Sequence, residues 1–342
     1  MIVKATSFDI AYRAGVSQST VSRALRNSPL VNEETRKKIQ AIAKELNYKV
    51  DKNARNLRSQ QSNTLALLLF EDKGADESKI NPFFLTMLGS ITRACSNSGY
   101  DLLVSFQEME NDWHAEYADS NKADGIILLG YGDYTDYRDK LLHLHQQGTH
   151  FVRFGAEVTD MPVTSIGGDN IGGGKRLTEH LISKGSNNIA FIGTISEAAP
   201  EFLGRYKGHQ QALEAAGLAV NPDLQANAIS SEEAGYRATK SLLDKGIPFD
   251  GLFGASDLIA IGAMRALQES GLQVPDDVAV VGFDDIPMAS FTKPTLTTAK
   301  QDTLLAGQLL VDNLLSMIAG SKPKTVLMPT QLITRESSNR TK

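Results

Sequence analysis

From Thr64 onward one pattern repeats along the chain: a short continuous apolar run, then a longer stretch with helical spacing. The runs are 64-TLALLLF-70, 101-DLLVSF-106, 124-DGIILLG-130, 150-HFVRFG-155, 188-NIAFIG-193, 251-GLFGA-255 and 278-VAVVGF-283. Apolar residues without polar alternation mark strands covered on both faces. Intervening helices, such as 170-NIGGGKRLTEHLISKG-185 and 257-DLIAIGAMRALQESG-271, supply that cover. The pattern predicts an α/β body of mostly parallel sheets, with strands enough for two. Ligands of open α/β sheets bind outside the carboxyl ends of the strands, so two facing lobes would enclose a cleft.

The first 62 residues are built differently. They hold twelve Lys/Arg against five Asp/Glu, a net +7, while the remaining 23 basic and 35 acidic residues give −12. A basic head on an acidic body fits a nucleic-acid module joined to something else. Three short helices can be read in the head. Thr6 is a candidate N-cap with Asp9 at N3, and Phe8, Ile10, Ala11 and Ala14 supply the apolar face. Gly15 ends this helix, because glycine enters a left-handed C-cap without steric cost. Ser17 then caps 18-QSTVSRAL-25, and Asn32 caps 33-EETRKKIQAIAKELNY-48. A helix, the tight turn 14-AGVS-17 and a second helix form the arrangement that seats the second helix in a DNA major groove.

The second helix buries Val21, Ala24 and Leu25, which leaves Gln18, Ser19, Ser22 and Arg23 facing outward. Gln and Arg can make paired hydrogen bonds to adenine and guanine edges, and the N-terminal positions of such a helix reach bases. Ser17, Thr20 and Ser22 are short donors suited to phosphates, which fix register without reading sequence.

The run 6-TSFDIAYRAGVSQSTVSRALRNSPLVNEETRKKIQAIAKELNY-48 resembles the headpiece of the lactose/galactose repressor (LacI/GalR) family, through Thr6, Asp9, Ile10, Ala11, Ala14, Gly15, Val16, Ser17, Thr20, Val21, Ser22, Arg23, Leu25, Thr35, Arg36 and Tyr48. The resemblance places base reading on Gln18, Ser19 and Arg23, and phosphate contacts on Thr6, Ser17, Thr20, Ser22 and Thr35. It also implies a hinge helix in 49-KVDKNARNLRSQQSN-63, matched at Asp51, Ala54 and Leu57, whose Ala54 and Leu57 would enter the minor groove of a pseudo-palindromic operator from a homodimer. The resemblance implies that this helix orders only on DNA, and a helix this short is unstable alone in water. Arg26 and Val50 depart from the family pattern, which often has Asn and Pro there.

The body resembles the same family's effector domain, related in fold to periplasmic sugar-binding proteins, at 81-NPFF-84, 124-DGIILL-129, 168-GDNIGGG-174, 205-RYKG-208, 280-VVGFDD-285, 294-PTLTT-298 and 329-PTQLITRESS-338. The resemblance implies effector contacts at Asn81, Phe83, Arg205, Ser256, Asp284 and Gln301. Arg and Asp suit charge-assisted hydrogen bonds to hydroxyls, and an aromatic ring packs on a sugar. Ser256 stands where the family often has Asn, and Phe154-Gly155 where relatives often carry Asp-Arg, so the effector stays open. Asp257 and Asp285 have helix capping as an alternative role.

The domain limits implied are a helix-turn-helix headpiece over 1–48, a hinge over 49–62 and an effector-binding and dimerisation domain over 63–339. Within the last, the N-lobe would take 63–163 and 294–323, and the C-lobe 164–293 and 324–339.

Catalytic patterns fail on inspection. The stretch 169-DNIGGGKR-176 lacks the Gly and the Ser/Thr a Walker A loop needs at its ends, and no nucleophile elbow G-x-S-x-G occurs. His143 and His145, two apart on a helical stretch, diverge, and Cys95 has nothing beside it in sequence to activate it. A single cysteine and an N-terminus, MIVKATSFDI, without an apolar signal core point to a cytoplasmic protein with no membrane partner. No cofactor or metal is expected. The reading is a transcriptional repressor of carbohydrate-utilisation genes whose operator affinity is set by a sugar. Alternatives are a regulator of the same fold corepressed by a purine or a phosphorylated partner protein, a sugar-binding transport protein, and a dimeric enzyme with a DNA-binding head.

Overall fold

The structure, a computed structural model, describes residues 5–48, 61–70, 80–107, 110–130, 134–157 and 161–340. Its contacts divide the chain into two compact units, Met1–Ser62 and Asn63–Lys342.

The first unit packs α1 (Ser7–Ala14), α2 (Gln18–Leu25) and α3 (Glu33–Glu45) around Ile10, Ala11, Ala14, Val21, Ala24, Val31, Ile39 and Ala43. Its helix ends follow the sequence. The Thr6 backbone N–H donates to Asp9 Oδ2 at 2.7 Å while Thr6 Oγ1 accepts from the Asp9 N–H, a reciprocal capping box. Those hydrogen bonds from Thr6 hold the Asp9 carboxyl below the usual carboxylate range. Gly15 takes φ 69°, the left-handed turn that lets α2 leave at an angle to α1. Ser17 and Asn32 cap α2 and α3 through the N–H groups of Thr20 and Thr35. The expected hinge contacts, Ala54 and Leu57, lie outside the described residues.

The second unit contains two six-stranded sheets. Sheet one orders β11 (Val326–Met328), β5 (Ser165–Gly168), β4 (Phe151–Phe154), β3 (Gly125–Leu129), β1 (Thr64–Leu69) and β2 (Asp101–Phe106), all parallel. Sheet two orders β12 (Gln331–Ile333), β10 (Thr297–Lys300), β9 (Ala279–Asp284), β8 (Gly251–Gly254), β6 (Ile189–Ile192) and β7 (Gln225–Ala226), with only β12 antiparallel.

Helices α4 (Pro82–Asn97) and α10 (Thr303–Ile318) bury Phe84, Met87, Ile91, Leu310 and Leu314 in one core with the sheet-one residues Leu67, Ile127 and Val152. A second core holds Ala66, Leu68, Ile126 and Leu128 with Trp113, Tyr117 and, from α5 (Tyr134–Gln146), Leu141 and Leu144. Alternate residues of β1 and β3 thus enter different cores, and both faces are covered, which is why these strands read as unbroken apolar runs.

In the other lobe α6 (Asn170–Ser183) packs on α7 (Pro200–Ala215), and α8 (Glu232–Asp244) on α9 (Asp257–Glu269). Each pair crosses on glycines. A Cβ on Gly174 would lie 2.2 Å from the Arg205 carbonyl oxygen, and one on Gly208 2.0 Å from that of Ile171. Gly262 against the Glu232 carbonyl repeats the device at 1.9 Å.

The strand partners correct the expected lobe limits. The expected C-lobe includes residues 164–168 and 324–328, but β5 and β11 pair with sheet one; the expected N-lobe includes residues 294–300, but β10 pairs with β9 in sheet two. The chain passes between lobes after Gly168, after Lys300 and after Met328. Among the described residues no helix is long and apolar enough to cross a membrane.

Candidate functional site

On the headpiece, the side chains expected to reach bases start from α2. Ser19 and Arg23 are exposed and lie four residues apart, so they share one face of the helix. Gln18 is half-buried, and its Nε2 donates to Ser7 Oγ at 2.7 Å, which fixes the amide at the edge of α1. Four of the five expected phosphate contacts have internal partners through their side chains. Thr6 Oγ1 donates to Asp9 Oδ2 at 2.7 Å, Ser17 and Thr20 share a 2.8 Å hydroxyl contact, and Ser22 Oγ accepts from Arg26 Nη2 at 3.0 Å. Arg26, the departure from the family pattern, therefore braces Ser22. Thr35 is half-buried in the first turn of α3, its backbone N–H donating to Asn32 Oδ1 at 2.8 Å.

In the second unit a chain of hydrogen bonds runs between the lobes. Asn81, before α4, accepts from the Phe83 N–H at 3.0 Å and donates through Nδ2 to Ser230 Oγ at 3.1 Å. Ser230 Oγ donates to Ser256 Oγ at 2.9 Å, and Ser256 caps α9. Next to it, the Ala255 carbonyl accepts from Arg205 Nη1. Arg205 Nε donates to Asn170 Oδ1 at 2.9 Å, Nη2 lies 3.4 Å from Asp284 Oδ1, and Gln301 Nε2 donates to the same Asp284 oxygen at 2.8 Å. Arg205 is fully buried and its guanidinium lies 3.8 Å from the centre of the Phe283 ring, a cation–π contact.

Of the six residues expected to touch an effector, the structure thus joins Arg205, Asp284 and Gln301 directly, and Ser256 and Asn81 through Ser230. Phe83 meets the polar chain through its backbone N–H, which donates to Asn81; its ring is buried in the sheet-one core, 5.2 Å from Phe84 and 5.6 Å from Phe154 between ring centres. Sequence reasoning missed Asn170 and Ser230. Asn170 was in sight within 168-GDNIGGG-174, where the interior Asn follows the Asp that caps α6; nothing local singles out Ser230.

The turn that carries Asp284 is strained. Asp284 and Asp285 have φ of 116° and 58°, left-handed values that non-glycine residues adopt at a cost. Three bonds hold the turn: Arg335 Nη2 to Asp285 Oδ1 at 2.7 Å, the Ile286 N–H to Asp257 Oδ2 at 2.8 Å, and the Asp285 N–H to Thr298 Oγ1 at 3.3 Å. Asp257 and Asp285 are thereby accounted for as braces of this turn, with Ser256 supplying the α9 cap. Burial first, then the nearby Asp284 charge, pushes the Asp257 carboxyl well above the usual carboxylate range.

The arrangement offers hydroxyl-binding groups from both lobes and from two of the crossings, at Asn170 and Gln301. Residues 8–51 match the model of bacterial regulatory proteins of the lacI family, and residues 178–338 that of a periplasmic binding protein-like domain. The transcriptional regulator CelR of Thermobifida fusca is 32% identical over 340 residues, which is 96% of each chain. The structure of a CelR–cellobiose complex is similar at TM-score 0.72 and 30% identity, covering 97% of this chain and 99% of that one. The structure of the Lac repressor dimer bound to operator and an anti-inducer is similar at TM-score 0.82 and 27% identity, covering 98% and 99%.

Proposed function

The chain belongs to the lacI family of bacterial regulatory proteins and is a DNA-binding transcriptional regulator, and from that premise we propose that it is a homodimeric repressor of carbohydrate-utilisation genes released by a sugar. The observation that carries the sugar reading is a pair of adjoining hydrogen-bonded chains, Asn81–Ser230–Ser256 and Asn170–Arg205–Asp284–Gln301, which meet where Arg205 bonds the Ala255 carbonyl next to Ser256. A polyol presents hydroxyls that both donate and accept, so it can replace links of such a chain in both lobes at once.

In this reading Gln18, Ser19 and Arg23 read base edges in each half of a pseudo-palindromic operator. Thr6, Ser17, Thr20, Ser22 and Thr35 hold the phosphates, and Ala54 and Leu57 wedge the central minor groove. Effector contacts fall to Asn81, Arg205, Ser256, Asp284 and Gln301, with Phe83 as the apolar wall. The half-buried edge strand β2 leaves Val104 and Phe106 about two-fifths exposed and α4 leaves Leu85 half exposed, an apolar surface that suits pairing with a second copy. The effector shifts operator affinity only through its differential binding to the two lobe arrangements.

The test is operator-fragment binding at one fixed salt concentration, titrated with mono- and oligosaccharides, sugar phosphates and purines. Release by one sugar is the expected result. A ligand that tightens DNA binding would replace induction by corepression. Asp284→Ala should abolish the response while operator affinity without ligand stays within about twofold; a fully responsive variant would remove Asp284 from the site.

A further inference from the structure

Beside the hydrogen-bonded chain lies a second polar cluster that the expected effector contacts do not include. Arg153, on β4, is 2% exposed, and its Nη2 meets Glu201 Oε1 at 3.4 Å. Its Nε and Nη1 have no hydrogen-bond partner among the described residues. A guanidinium carries five N–H donors, so three of them are left unpaired here. Ser165 is the direct neighbour of Arg153 across the β4–β5 pairing, on the same face of the sheet, and its buried Oγ is also without a partner. The guanidinium lies over the Tyr134 ring, its carbon 5.1 Å from the ring centre.

The cluster is built around close approach. A Cβ on Gly155 would lie 2.2 Å from Arg153 Nη2 and 2.7 Å from Glu201 Oε1, so glycine gives the ion pair its space. Glu201 Oε1 also accepts from the Ala156 N–H at 2.8 Å, and its contact with Arg153 is through Nη2 alone. Glu201 and Arg205 stand four residues apart on α7, on one face of the helix and with Cβ atoms about 6 Å apart. The Arg153 cluster is thus one helical turn from Arg205, and it joins β4 of one lobe to α7 of the other.

Unpaired buried donors beside a cleft call for acceptor oxygens, and a cationic donor set calls for charged ones. We propose that Arg153 and Ser165 form an oxyanion subsite of the effector cleft, so that the effector is a sugar bearing a carboxylate or a phosphate. The sugar hydroxyls sit at Arg205, Asp284 and Gln301 and the acid group one turn away at Arg153. Entry requires the lobes to part, because the Arg153 nitrogens are closed off from solvent in this arrangement. The inference rests on the sugar-effector reading above and narrows it.

The experiment compares matched ligands on the full chain by calorimetry: glucose with glucuronate, ribose with ribose 5-phosphate, and inorganic phosphate alone. At least one acid should bind ten times or more tightly than its neutral parent. Arg153→Met should erase that preference, and Arg153→Lys should keep part of it. Glu201→Gln removes a competing carboxylate and should strengthen acid binding; it decides the matter if Arg153→Met proves unfolded, as its operator binding and melting curve would show. Equal or tighter binding of the neutral parents, a preference that survives Arg153→Met, or weaker acid binding in Glu201→Gln overturns the subsite. Inorganic phosphate binding as tightly as the sugar acids would also overturn it, as a free-anion site. If neutral sugars release the operator and acids do not, only the subsite fails; if no saccharide acts, the sugar reading fails with it.

Discussion

His209 lies in the interface of α6 and α7, 2% exposed, among Phe191, Tyr206 and Phe253. Its Nδ1 is 2.9 Å from Thr178 Oγ1, and the Thr178 hydroxyl donates in turn to the Gly174 carbonyl at 3.0 Å. The Thr oxygen therefore accepts, and Nδ1 carries the proton of a neutral ring. Burial pushes the imidazole pKa from its ordinary 6.5 down to about 3. Folding thus favours the uncharged ring: the stabilisation is complete above pH 6.5 and is lost as pH falls towards 3, while the unfolded chain takes up a proton that the folded chain refuses. With these two values the loss is about 2 kcal/mol at pH 5 and about 5 kcal/mol once pH is below both.

The substitution to make is His209→Gln, which keeps an N–H donor for Thr178 but cannot titrate. Urea unfolding of the wild type and the variant at pH 7.5 and at pH 5 isolates the contribution, because the carboxylates are common to both. The stability difference between the two pH values should be smaller by about 2 kcal/mol in the variant. Parallel losses would show that the ring is not held neutral by burial.

Other outcomes are expected from other parts of the chain. Gly174→Ala puts a methyl 2.2 Å from the Arg205 carbonyl, a backbone atom on a packed helix, and should cost about 3 kcal/mol of stability in the same unfolding assay. Arg23→Ala should lose about 1–3 kcal/mol of discrimination at one base pair of the operator, measured against single-base variants of the site at fixed salt; unchanged discrimination would move base reading elsewhere. Cys95, buried in α4 and with its thiol pushed up to about 11 by burial, should resist thiol reagents at pH 8 in the folded protein and react at once in urea.

What the sequence made legible follows from how local each signal is. The three headpiece helices were readable to their caps, because Thr6, Ser17 and Asn32 act on N–H groups three residues away and Gly15 acts on its own φ. The seven apolar runs all became strands: six are buried on both faces, and the edge strand β2 carries the same apolar pattern half-exposed. Strands β5, with 165-SIGG-168, and β10, with 297-TTAK-300, carry no such run. Their glycines and threonines make room for Gln301, beside Gly168, and bond Asp257 through Thr298, so only Ile166 and Ala299 are left to serve the cores and no apolar run forms. With β5 and β10 unread, the crossings between lobes could not be placed. Arg153 and Glu201 were hidden for a related reason: an Arg inside the run 150-HFVRFG-155 reads as an interruption until its partner, 48 residues on, is brought beside it.

The geometry of the cleft also limits how strongly an effector can act. Arg205, Asp284, Gln301, Asn81, Ser230 and Ser256 are partnered to one another without ligand, so an entering hydroxyl exchanges one hydrogen bond for another. An exchange of that kind contributes only about 0.5–1.5 kcal/mol per bond, far less than the bond itself is worth in a dry interior. A neutral sugar touching these groups alone would gain little that distinguishes one lobe arrangement from the other. The unpaired donors of Arg153 are different, because an oxyanion there gains bonds that the free protein does not make. Differential affinity between two lobe arrangements is the only quantity that moves operator binding. Under the proposed site assignment, the residues given to the sugar hydroxyls are therefore not the ones that would switch the protein most strongly. On this reasoning the switching strength of a series of effectors should follow the occupancy of the Arg153 cluster more closely than the number of hydroxyls placed against Arg205 and Asp284.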